Sequence, residues 1–99
     1  MTKEKLKQIV DEGCTRSKCY MVVKIETEGN TAPEIIVNPA ENFTAKLAYY
    51  LSAYDDNLEL IAAKKSGKSV RITDALLTSN LADLNWFIYW GGSRYGKDL

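Results

Sequence analysis

Residues 58–77 read LELIAAKKSGKSVRITDALL, and whether the chain after Lys68 and Ser69 is helical or extended decides the fold. If the first glycine of a phosphate-binding loop can be alanine, Ala62–Ser69 (AAKKSGKS) fits the spacing small-x-x-x-x-Gly-Lys-Ser. Such a loop works because a strand ends in it and a helix begins at its Lys-Ser. Backbone amides and the helix N-terminus then converge on the phosphates. Here the next residues are β-branched and alternate, Val70 and Ile72 against Arg71 and Thr73, which predicts a strand. The nearest match to a magnesium-binding strand, QIVDE at 8–12, lies upstream and within a helical pattern, whereas the site needs it downstream. The pattern therefore predicts a hairpin, with 58–63 folding back on 70–77 and Gly67 supplying a positive φ at the turn. A nucleotide-binding enzyme built on 62–69 is the remote alternative.

Outward from this hairpin, the N-terminal residues TKEKLKQIVDEG predict a helix over 1–13. Thr2 is its cap, Leu6, Ile9 and Val10 its apolar stripe, and Gly13 its stop. KCYMVVKIE (18–26) alternates Met21, Val23 and Ile25 against Tyr20, Val22 and Lys24, and predicts a strand. EIIV (34–37) is its partner across the loop TEGNTAP. A second helix is expected after Asn38 as N-cap, with Pro39 in the first turn and Glu41 in a capping box. Its stripe is Phe43, Leu47, Tyr50, Leu51 and Tyr54, and Asp55–Asn57 break it. The last element, from Ser79 to Trp90, suits a helix ended by Gly91–Gly92, although WFIYW is also rich in strand formers. A flexible tail is expected at 92–99. The fold class is thus α+β in the order α-β-β-α-β-β-α, a mainly antiparallel four-stranded sheet with helices on one face.

A chain of 99 residues with 45% hydrophobic and 26% charged residues suits one globular domain. Lys and Arg number 13, as do Asp and Glu, so the whole chain exerts no long-range pull on polyanions. Histidine is absent, which removes the usual neutral-pH acid–base group, the Ser-His-Asp and Cys-His arrangements and the commonest zinc ligand. No apolar run approaches the roughly 20 residues of a membrane span, and the N-terminus lacks an apolar signal core. A soluble, cytoplasmic protein is expected, with no cofactor, metal or catalytic residue assigned.

Four groups of residues are candidates for function. Lys64, Lys65, Lys68 and Arg71 cluster at the hairpin and could grip phosphates, making nucleic-acid binding the alternative function. Cys14 and Cys19 lack the further ligands of a zinc site within one chain, so Cys19 reads as a small strand residue and Cys14 as a loop thiol. Asp55, Asp56 and Glu59 oppose the helix dipole and are expected to face a cationic partner, including the chain's own lysine-rich segment. Aromatic residues are in excess of what a small core hides. Tyr50, Tyr54 and Trp86 read as structural, whereas Tyr49, Phe87, Tyr89, Trp90 and Tyr95 are the candidate contacts for a protein partner or a second copy.

The segment NFTAKLAYYLSAYDDNLELIAAKKSGKSVRITDAL, about the middle third, resembles small proteins encoded by bacterial phages and prophages, mostly without assigned function. The resemblance implies a context only, since it carries no catalytic motif: an accessory factor that binds and modulates a host protein, counter-defence included. The resulting expectation is a non-enzymatic protein-binding module.

Overall fold

The computed structural model describes residues 1–14 and 18–90, without the side chains of Cys14, Tyr89 and Trp90. The tail expected at 92–99, Tyr95 within it, and the helix stop at Gly91–Gly92 lie outside the described residues. Helix α1 spans Lys3–Cys14, and Thr2 caps it as expected, its Oγ1 accepting the Lys5 amide at 3.1 Å. Strands β1 (Tyr20–Thr27), β2 (Glu34–Pro39) and β3 (Val70–Thr78) form one antiparallel sheet in the order β2-β1-β3. Between β2 and β3 lie α2 (Phe43–Ala53) and the short α3 (Ile61–Lys65); α4 (Leu84–Trp90) closes the described chain.

The sheet has three strands where the hairpin reading expects four. Val70–Thr78 is extended as expected, but only Leu58–Leu60 folds back on it. Leu60 N donates to Val70 O at 2.8 Å and Ile72 N to Leu58 O at 2.9 Å. Isolated bridges join Tyr54 to Leu60 and Glu59 to Arg71, and the chain then coils into α3. Ile-Ala-Ala-Lys-Lys is dominated by strong helix formers, and past the Glu59–Arg71 bridge and its two flanking hydrogen bonds nothing holds those residues extended along the β3 edge.

Helices cover both faces of the sheet, not one. Leu6 and Val10 of α1 and Phe43 and Tyr50 of α2 share a core with Met21, Val23 and Ile25 of β1. The other face carries Val22 and Lys24, both fully buried, and there α4 sets Phe87 beneath the Lys24 ammonium, 5.1 Å from the ring centroid. Near the middle of β3 the register slips by one residue between Lys24 and Ile25, so Thr73 is the extra residue of a β-bulge. The bulge lets Val70 and Ile72 share a face with Ala75 and Leu77, all four of which pack on the α1–α2 core.

Two expected helix signals do other work. Asn38 belongs to β2, where its buried side-chain amide donates to Met21 O at 3.2 Å, so it does not cap α2; a single 3-10 turn, Ala40–Asn42, intervenes. Gly13 does not stop α1 either. It is buried inside the helix, and a Cβ there would lie 2.5 Å from Phe43 Cε2 and 2.9 Å from Leu77 Cδ1. The missing side chain is what lets α1 approach α2 and β3 this closely.

Candidate binding face around the tyrosine cluster

Helix α2 places the site. Its stripe puts Phe43 and Tyr50 in the core, which turns Tyr49 outward with 49% of its surface exposed. The helix ends at Tyr54, which is extended and buried, and the three tyrosine rings pack against one another. Centroids are 5.6 Å apart for Tyr49–Tyr50, 6.4 Å for Tyr49–Tyr54 and 6.0 Å for Tyr50–Tyr54, all tilted or edge-on. Lys46 holds its ammonium 5.4 Å from the centroids of both Tyr49 and Tyr50.

Between this cluster and the sheet lies a pocket of about 340 Å³. Lys46, Tyr49 and Tyr50 of α2 line it together with Glu34 and Ile36 of β2 and with Leu60. The volume is at the lower end of what small ligands or single side chains occupy. Burial pushes the Tyr54 hydroxyl up to about 12, with Tyr49, Tyr50 and Glu34 adding to the effect. Burial raises Tyr50 as well, against the opposing influence of nearby Asn38, and its hydroxyl has no hydrogen-bond partner among the described residues.

Around the pocket the surface is unusual for an exposed helix and edge strand. Thr44, Ala45, Ala48, Tyr49 and Ser52 are all exposed, yet the eleven residues of α2 contain one charge, Lys46. Beside it, β2 pairs only with β1 among the described residues, and Val37 is 37% exposed. The middle of this edge, Ile35–Val37, carries none of the lysines, prolines or bulges that usually protect an open strand.

The basic segment is built differently from the hairpin tip expected of it. Lys64 and Lys65 end α3, Lys68 comes after the turn at Gly67 (φ 76°), and Arg71 lies on β3. Strand β3, not a helix, succeeds Lys68 and Ser69, so the amide cradle of a phosphate loop is not formed there. As the sequence suggests, the acidic cluster faces this segment. Asp55 pairs with Lys64 at 2.7 Å and Glu59 with Arg71 at 2.8 Å, while Lys3 reaches Asp56 at 3.9 Å. The Lys64 ammonium and the amides of Glu59 and Asn57 hold the Asp55 carboxyl down at about 2, and the same contact raises Lys64.

The C-terminal aromatics divide. Phe87, expected at a surface, is 1% exposed, whereas Trp86, expected in the core, is 44% exposed. Helix α4 is turned so that Phe87 fills the face that Lys24 shares, and Trp86 meets it edge-on at 6.0 Å. Tyr89 and Trp90 contribute no described side chain, and Tyr95 lies beyond the described residues. Tyr49 and α4 stand on opposite faces of the sheet, so they do not make one patch. Lys24 was not singled out by its sequence: an ammonium in the central strand donates to Ile88 O at 3.3 Å. Desolvation lowers its pKa, against the opposing pull of Asp74 and Glu26.

No protein-family model, no curated protein and no solved structure matches the chain. Among the described residues no helix is long and apolar enough to cross a membrane, and no group of His, Cys, Asp or Glu is arranged to hold a metal ion.

Proposed function

We propose that this chain is a non-enzymatic protein-binding module whose contact face is the Tyr49 side of α2 together with the neighbouring edge of β2. The observation that carries the reading is Tyr49, half exposed at the rim of an open pocket and braced by two buried tyrosine rings. A large side chain already held in place loses little entropy on binding, which is why such residues anchor interfaces. The role of a phage or mobile-element accessory factor that modulates a host protein in the host cytoplasm, counter-defence included, rests on the resemblance alone. Nucleic-acid binding through 64–71 has less support, because Lys64 and Arg71 already have carboxylate partners at 2.7 and 2.8 Å.

The test is affinity capture from a bacterial host lysate with three proteins: the wild type, Tyr49→Ala, and the triple charge reversal Lys64→Glu, Lys65→Glu, Lys68→Glu. Losing a central tyrosine anchor costs about 2 kcal/mol or more, roughly 30-fold in affinity, so Tyr49→Ala should lose its partner while melting normally. The charge-reversed protein should keep it. Capture indifferent to Tyr49, or a polynucleotide ligand lost on charge reversal, refutes the reading.

A further inference from the structure

We infer that the occupant of this face is a second copy of the same chain, joined by antiparallel pairing of β2 with β2 about a two-fold axis at Ile36. The inference rests on the binding-face reading above and names its partner. Of the sheet's two outer edges, β3 is capped over its first residues by Leu58–Leu60, whereas β2 has no second strand among the described residues. An edge whose middle lacks protection, here between Pro33 and Pro39, recruits another short strand.

The sequence of β2 says which strand fits. A two-fold axis normal to the sheet keeps both α2 helices on the same side, and directly opposed residues share a face. Paired residue numbers must therefore sum to an even value. Centring the axis on Ile36 opposes Ile36 to Ile36 of the partner subunit, Ile35 to Val37 of the partner subunit, and Glu34 to Asn38 of the partner subunit. Apolar residues meet apolar residues on both faces, and the one charge meets an amide. Moving the centre to Ile35 or Val37 opposes Glu34 to Ile36 or Pro39 to Ile35.

Strand pairing alone would be marginal, and α2 supplies the rest. Because Lys46, Tyr49 and Tyr50 share a pocket with Glu34 and Ile36, this helix lies beside the β2 edge. Tyr49 lines the pocket that it shares with Glu34 and Ile36 of that edge, and Ala45 and Ser52, one turn before and after it, are small and exposed. Two such helices can approach closely across the axis. In the resulting six-stranded sheet, Ile36 of the partner subunit stands one strand spacing, about 4.8 Å, from Ile36, which lines the tyrosine pocket.

The test is sedimentation equilibrium of the full chain from micromolar to submillimolar concentration. The expected result is a reversible dimer. Val37→Lys places a charge on the pairing edge, and Ala45→Arg places a bulky charge on the helix face; each should weaken dimerisation at least about tenfold, roughly 1.4 kcal/mol, with an unchanged far-UV spectrum. Ala45→Arg keeps the test valid if Val37→Lys disturbs the fold, and Trp86→Ala, on the other face, should dimerise like the wild type. A monomer at every concentration overturns the inference; if Tyr49→Ala still abolishes capture of a host protein, the binding-face reading survives it. A dimer that ignores Val37→Lys and Ala45→Arg but is lost in Trp86→Ala likewise overturns the inference, while capture with Tyr49→Ala decides the binding-face reading separately.

Discussion

Gly13→Ala sets two effects against each other, and the structure decides between them. Within a helix, alanine is favoured over glycine by about 1 kcal/mol, so on propensity alone the substitution stabilises α1. The added methyl, however, would stand 2.5 Å from Phe43 Cε2, 2.9 Å from Leu77 Cδ1 and 3.1 Å from Phe43 Cδ2. Carbon atoms in contact normally lie about 3.5–4.0 Å apart, so the Phe43 ring or the helix must move by roughly 1 Å. Phe43 is 1% exposed and belongs to the central cluster, which leaves it little room to move. Overpacking of this kind costs about 1–3 kcal/mol, and this contact belongs at the upper end. The net expectation is a loss of about 1–2 kcal/mol, a fall in melting temperature of roughly 5–15 °C for a domain of this size. Calorimetry or urea denaturation measures it. Combining Gly13→Ala with Phe43→Leu, which trims the obstructing ring, should cost at least about 0.5 kcal/mol less than the sum of the two single changes. A neutral or stabilising Gly13→Ala would mean that α1 does not approach α2 as described, and the placement of α2 over the tyrosine pocket would fall with it.

Helix α4 and the acidic loop give two more predictions. Phe87→Ala should cost about 3 kcal/mol or more in urea denaturation, whereas Trp86→Ala should cost less than about 1 kcal/mol; the reverse order would mean that α4 is rotated. For Asp55, the folded carboxyl titrates at about 2, below its ordinary value of about 3.9 in an unfolded chain. Its contribution is therefore fully present above about pH 4 and is lost as pH falls through about 2. Asp55→Asn should melt lower than the wild type at pH 6, by a penalty under about 1 kcal/mol because the pair is solvated, and the difference should close near pH 2. A difference that persists there would remove the Asp55–Lys64 pair as its cause.

The parts of this fold that repeat within a few residues were legible, and those that depend on distant partners were not. Leu6 and Val10 declared α1, the alternation of Met21, Val23 and Ile25 declared β1, and Phe43, Leu47 and Tyr50 declared α2, because each pattern completes itself within one element. A parity change in β3 was also there to be read. Its core-facing positions are even at Val70 and Ile72 but odd at Ala75 and Leu77, which one extra residue, Thr73, reconciles. By contrast, Gly13 resembled a helix stop because its reason, Phe43, lies 30 residues further on. Seven residues of α4 could not tell Phe87 from Trp86 as the inward aromatic, since Lys24 on a separate strand settles it. Asn38 had the chemistry of a helix cap and was claimed by the Met21 carbonyl of the adjacent strand. Lys24 looked like the solvent side of an alternating strand only while no helix was expected over that face.

The charges explain why the proposed binding face reads as blank in the sequence. Three acids followed by four bases draw the eye to 55–71, but there Asp55 meets Lys64 and Glu59 meets Arg71. What those pairs cancel locally cannot also steer a polyanion from afar. The face formed by α2 and β2 is conspicuous instead for what it lacks: one ammonium, drawn over two tyrosine rings, and one carboxylate at the strand's start, with alanine, serine, isoleucine and valine between. The association proposed there would gain from apolar burial and backbone pairing, neither of which salt screens, so its affinity should hardly change with ionic strength. Binding through the lysines would instead weaken steeply as salt rises. The same titration therefore separates the two surfaces without any mutation, since each draws on a different physical force.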